Sequence, residues 1–187
     1  MHDRAFARPP SASASRARAS RASADAPPAS DFAWPNLTDF LKQLIAKVGA
    51  PVKVYKLEIG GDGKVDLWIQ DQGKPDLVDS YEYDHGTMSD PIPVKFEHYP
   101  SVAAVDHHVI ELTTIDFQRL PSMLATARAK LKLPDARVSF IVLERGDSSG
   151  FLTFSDIPIW TFHLSTPRHD GRVELSLDGK VLDADKD

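Results

Sequence analysis

Gly146-Asp147-Ser148-Ser149-Gly150 is the stretch of this sequence whose residue types come nearest to reaction chemistry. A serine in a tight, glycine-bounded loop can act as a nucleophile, but only with a base and an orienting carboxylate in place. His163 and Asp156 qualify by type alone, since no spacing ties them to the loop. The same letters make a polar hairpin loop, which is the expected role. Arg145-Gly146-Asp147 spells a cell-adhesion tripeptide, too short to carry a function.

The spacing of the histidines does not point to a metal site. His107 and His108 are adjacent, so on a strand their side chains point to opposite faces and do not share one ion. His163 and His169 lie near a turn with Asp170, and His85 follows Asp84, without the spacing of a zinc site. They are expected to be solvated or capping groups. The absence of cysteine removes disulfides, thiolate zinc ligands and cysteine nucleophiles together. No catalytic, cofactor-binding or metal-binding residue is therefore assigned.

Trp68 carries a stronger signal. Val65, Leu67 and Ile69 alternate with Asp66, Trp68 and Gln70, the pattern of a half-buried strand. If the aliphatic set faces a helix, then Asp66, Trp68 and Gln70 face away from it. A tryptophan left on an outer sheet face is a frequent interface anchor. These three residues are the expected partner-binding set, against the alternative that a linker or a second unit covers them. Phe151, Leu152 and Phe154 form another apolar cluster in an expected loop, with the same two readings.

The elements that position these residues read clearly in places. Leu37, Phe40, Leu41, Leu44, Ile45 and Val48 recur at helical steps behind Asn36 as N-cap, and Gly49 and Pro51 stop the helix. Strands are expected at Val52 to Ile59, at Val65 to Gln70 and at Leu77 to Asp84, with a short edge strand at Ile92 to Phe96. Gly60-Gly61-Asp62-Gly63, Gln72 to Pro75 and His85-Gly86 supply the turns between them. Val109 to Leu112 reads as a short bridging strand. A second stripe follows in Phe117, Leu120, Leu124, Ala127 and Leu131, with Pro121 in the first turn and Pro134 at the end. Further strands are expected at Arg137 to Glu144, at Ile157 to Leu164, at Val173 to Leu177 and at Lys180 to Leu182. Asp170-Gly171 and Asp178-Gly179 are read as the turns between the last of these.

The order helix, proline, strands thus occurs twice. Leu41, Leu44, Val48 and Pro51 have the spacing of Leu124, Ala127, Leu131 and Pro134, which suggests a tandem repeat. The expected fold class is α+β, with two tandem units, each one helix packed on a three- to four-stranded antiparallel sheet. The expected divisions are an arm at residues 1–30, a first unit at 31–100, a linker at 101–116 and a second unit at 117–187. The arm is Ala-, Ser-, Arg- and Pro-rich, and its composition predicts disorder, because it offers little apolar surface to bury. Its five arginines also suit a basic tether or a remnant of a targeting signal.

The 187-residue chain has a formal net charge of -5, which argues mildly against a general phosphate-backbone binder, and no specific nucleic-acid partner is expected. No apolar run reaches the roughly 20 residues of a transmembrane helix, and no export signal is visible.

The second half, from about Phe117 to Asp185, resembles a PepSY-like domain. The carrying features are the helix, the strand Arg137 to Val142, the strand around Trp160, and the terminal run Gly171 to Leu182 with its Asp178-Gly179-Lys180-Val181 close. The first half looks like a diverged copy, and the doubled unit resembles the fold of beta-lactamase inhibitory proteins. That resemblance implies a periplasmic or secreted protein of the bacterial envelope that binds, and in some cases inhibits, another protein. A non-enzymatic protein-binding module using the open sheet face is therefore the leading expectation. A small-ligand or hydrolytic site between the units is the second, and a structural envelope protein the third. No cofactor is implied. Limited proteolysis is expected to trim the chain to near Asp31 and leave the folded core intact. Resistance of the Arg16 to Arg21 segment to cleavage would refute a disordered arm.

Overall fold

The computed structural model describes residues 32–95, 105–146 and 157–187, except the side chains of Asp106 and His107. The expected arm, the start of the expected linker, and the 147–156 loop with Phe151, Leu152 and Phe154 lie outside the described residues.

The first helix, α1 (Leu37–Val48), starts where the sequence places it. The Asn36 side chain accepts a hydrogen bond from the Asp39 N–H at 3.2 Å, and Gly49 closes the other end at φ 82°. Its buried residues are Phe40 and Leu44, while Ile45, expected within the stripe, is 40% exposed. Strands β1 (Lys53–Gly60), β2 (Val65–Gln70) and β3 (Val78–Asp84) follow as an antiparallel meander. Two-residue strands β4 (Thr87–Met88) and β5 (Ile92–Pro93) pair with β3. A single helical turn, α2 (Val105–His108), leads to β6 (Ile110–Glu111), which pairs with β1.

Helix α3 (Leu120–Leu131) has Pro121 in its first turn, where no helical hydrogen bond is lost. Phe117 of the expected stripe sits in the preceding 3-10 turn, and Leu120, Leu124, Ala127 and Leu131 are buried as expected. Lys132 ends the helix in the left-handed region at φ 57°. Strands β7 (Arg137–Arg145), β8 (Pro158–Ser165), β9 (Asp170–Ser176) and β10 (Val181–Lys186) form a second meander.

The expectation of two units, each a helix on its own small sheet, is overturned. The described strands make one ten-stranded sheet in the order β10-β9-β8-β7-β1-β2-β3-β4, with β5 beside β3 and β6 beside β1. The two meanders join where β1 pairs antiparallel with β7, from Lys56 opposite Glu144 to Gly60 opposite Phe140. Separate sheets would each leave a row of unpaired N–H and C=O groups at this edge. Joining them satisfies both rows. One contiguous core follows, containing Phe40 and Leu44 of α1, Leu124 and Ala127 of α3, and inward residues of both meanders.

A second correction concerns Asp170-Gly171, which were read as a turn but belong to β9. The chain turns earlier, where the Thr166 hydroxyl accepts from the His169 N–H at 2.9 Å and the Thr166 N–H donates to the His169 carbonyl at 2.8 Å. Gly171 is needed for a close approach instead. A Cβ there would lie 2.7 Å from Leu131 Cδ1, so the missing side chain lets α3 settle on the sheet.

Leu44, on the core-facing side of α1, is fully buried. Leu44→Ala is expected to destabilise the protein by about 2–5 kcal/mol in chemical denaturation. A loss well under about 1 kcal/mol would show that Leu44 is not a core residue.

Candidate partner-binding face

The alternation along β2 holds. Val65, Leu67 and Ile69 are 0, 0 and 3% exposed beneath the helices, so Asp66, Trp68 and Gln70 project from the opposite face. Across the strands, Asp66 lies opposite Glu58 and Glu82, Trp68 opposite Lys56 and Ser80, and Gln70 opposite Val78.

The three residues differ in what they offer. Asp66 is exposed. Trp68 is half-buried and packs against a small second cluster of Val78, Val105 and Val109, with Tyr55 and Val94. Its ring stacks on Tyr55 at 6.3 Å between centroids, and the Lys56 ammonium sits 5.8 Å above it. Thus the segment around α2 crosses this face and covers part of the indole. Gln70 is only 5% exposed and donates to the Pro75 carbonyl at 2.7 Å, so it fixes the following turn and presents little surface.

Charges ring the aromatic pair. Lys64 lies 2.6 Å from Glu82 and 3.8 Å from Asp66, and Lys56 lies 2.9 Å from Glu58. Burial raises the Asp66 pKa above its usual value, and Glu82, Glu58 and Asp62 add to the rise while Lys64 opposes it. The bond to Glu82 raises Lys64. Burial also raises Glu144, opposite Lys56 across the β1–β7 seam.

The middle of this face is not open. Ile159, Val142, Thr161 and Glu174 project from it and are between 2 and 5% exposed. Beyond them lies a cleft of about 400 Å³ whose lining includes Phe140, His163, Arg172, Asp170, Asp185 and Asp187. His163 stacks on Phe140 at 4.1 Å, and burial and Arg172 lower its pKa. Arg172 bridges Glu174 at 3.2 Å and Asp183 at 3.3 Å. Sequence reasoning missed this cleft. Alternation along β8 places His163 on this face, but the neighbours Phe140 and Arg172 come from other strands, whose register the sequence does not display.

The remaining expected groups are scattered. His85 contacts Asp84 at 2.6 Å on the surface, His169 lies 3.1 Å from the Asp187 carbonyl oxygen, and His108 lies 6.1 Å from the Tyr55 ring. The His107 side chain and the serine loop with Asp156 lie outside the described residues. Among the described residues no group of three metal-ligating side chains converges, and no helix is long and apolar enough to cross a membrane.

Comparison with solved structures gives a likeness of fold. A candidate lipoprotein from Clostridium difficile 630 superposes with a TM-score of 0.54 at 13% sequence identity, over 83% of this chain and 95% of that one. No family model matches the chain, and no curated protein is significantly similar to it. The class defined is therefore a sheet-dominated α+β fold shared with that protein.

Because burial raises the Glu144 pKa, the folded protein holds this proton more tightly than the unfolded chain does. The ionised group therefore opposes folding above its folded pKa, and that cost disappears as pH falls below its ordinary value of 4.5. Glu144→Gln is expected to raise the melting temperature at neutral pH and to lose that advantage below the ordinary value. An equal gain at both pH values would exclude the ionisation as its cause.

Proposed function

We propose that this chain is a non-enzymatic protein-binding module of the bacterial envelope, which engages its partner through the sheet face around Asp66 and Trp68. The observation that carries the reading is the half-buried Tyr55–Trp68 stack bordered by Lys56, Glu58, Lys64, Asp66 and Glu82. An apolar centre within a charged rim is the usual anatomy of a binding patch. What supports the envelope placement is the fold likeness to a candidate lipoprotein, beside the resemblance to PepSY-like domains read from the sequence of the second half. Gln70 contributes by holding the end of β2.

The test is affinity capture from envelope extracts of the source organism, followed by titration of the purified partner. Trp68→Ala is expected to weaken that binding by about 2 kcal/mol or more, the scale of an interface hot spot. Asp66→Lys should alter its salt dependence, and Lys130→Ala, on the helical side, should leave it unchanged. Thermal denaturation of Trp68→Ala separates lost binding from loosened packing against Val105 and Val109. Unchanged affinity in folded Trp68→Ala would sink the proposal.

A further inference from the structure

Strand β10 ends the sheet and, among the described residues, pairs on one side only, with β9. The other end of the sheet is treated differently. There β3 is flanked by the two-residue strands β4 and β5, and β5 includes Pro93. Short strands and proline are common means of blunting an edge against further pairing. β10 has six residues and no proline.

The pairing pattern fixes which backbone groups face outward. The Asp187 N–H donates to the Asp170 carbonyl at 3.2 Å, which makes these two a hydrogen-bonded pair. Stepping back along the register, Asp185 with Arg172 and Asp183 with Glu174 are pairs of the same kind. Ala184 and Lys186 therefore turn their N–H and C=O groups away from β9. Asp183 and Asp185 project from the face opposite the helices, and Asp185 also lines the cleft beside His163 and Phe140.

Charge selects the strand that fits this edge: Arg172 bridges both Glu174 and Asp183, and Asp185 opposite it adds a third carboxylate to this one guanidinium. Consider a second copy added antiparallel with its helices on the same side. In registers centred on Asp183, Ala184 or Asp185, an aspartate of one copy lies directly opposite an aspartate of the other. Like charges directly opposite destabilise a strand pair. A strand with cations at alternate positions meets the reverse situation, and a long cationic side chain opposite Asp185 reaches the acidic cleft.

We propose that β10 receives an extended segment of another protein by strand addition, and that this segment carries lysine or arginine at alternate positions, opposite Asp183 and Asp185. Main-chain bonds to Ala184 and Lys186 supply affinity, and the two aspartates select the sequence. This surface lies at the opposite end of the sheet from Trp68 and is independent of the reading above.

The test uses the full chain and two labelled peptides, Ser-Val-Lys-Val-Lys-Val-Ser and its counterpart with glutamate for lysine, followed by fluorescence anisotropy. The lysine peptide is expected to bind and the glutamate peptide not. Hydrogen exchange at the Ala184 and Lys186 amides should slow on binding. Ala184→Pro removes an N–H that points away from β9, so it should spare the β9 ladder and weaken the lysine peptide by about tenfold or more. The double variant Asp183→Lys, Asp185→Lys should reverse the peptide preference, and Trp68→Ala should change nothing. Absence of binding, or binding without slowed exchange at those two amides, overturns the proposal. So does self-association of the wild-type chain, by sedimentation, that Ala184→Pro abolishes. The exchange measurement needs no variant and decides the matter if Ala184→Pro does not fold.

Discussion

Lys56 to Gly60 of β1 lie opposite Glu144 to Phe140 of β7, and the arrangement of the other elements follows from that ladder. It turns two meanders into one sheet, places both long helices on a common face, and lets their apolar stripes contribute to one core. Among the described residues it also leaves the sheet with two outer ends. One is flanked by the short β4 and β5, and the other is β10.

Placing α1 and α3 on one face leaves the connections and polar side chains to manage the other. Around β2, the segment at Val105 to Val109 shelters part of Trp68 and leaves a charged border at Lys64, Asp66 and Glu82. Near the middle, Val142, Ile159 and Thr161 are buried. Towards β10 the surface opens again into the cleft beside His163 and Arg172. The face is therefore divided into two accessible margins, one aromatic with mixed charge and the other largely acidic. The proposed interactions use these margins separately.

Much of the local structure was legible from the sequence. The Asn36 cap, the Phe40 and Leu44 contacts, the Leu120 to Leu131 stripe and the inward set Val65, Leu67 and Ile69 follow from short-range spacing. Such features depend on helical and strand periods, which are written into neighbouring residues. Asp170-Gly171 was misread because a glycine that admits Leu131 is the same letter as a glycine that permits a turn. Ile45 was placed in a buried stripe because periodicity gives the direction of a face but not the width of what covers it.

The sequence by itself determined the local elements, most inward-facing residues of the strands, and the side of β2 from which Asp66, Trp68 and Gln70 project. Only the tertiary structure decided that the meanders share one sheet, that Gln70 is buried against the Pro75 carbonyl, that α2 shelters Trp68, and that Phe140, His163 and Arg172 meet in one cleft. The physical reason is the range of the interactions. A strand's alternation is set by its own backbone, but its edge partner is chosen by hydrogen bonds to groups far along the chain, and no short-range pattern encodes that choice.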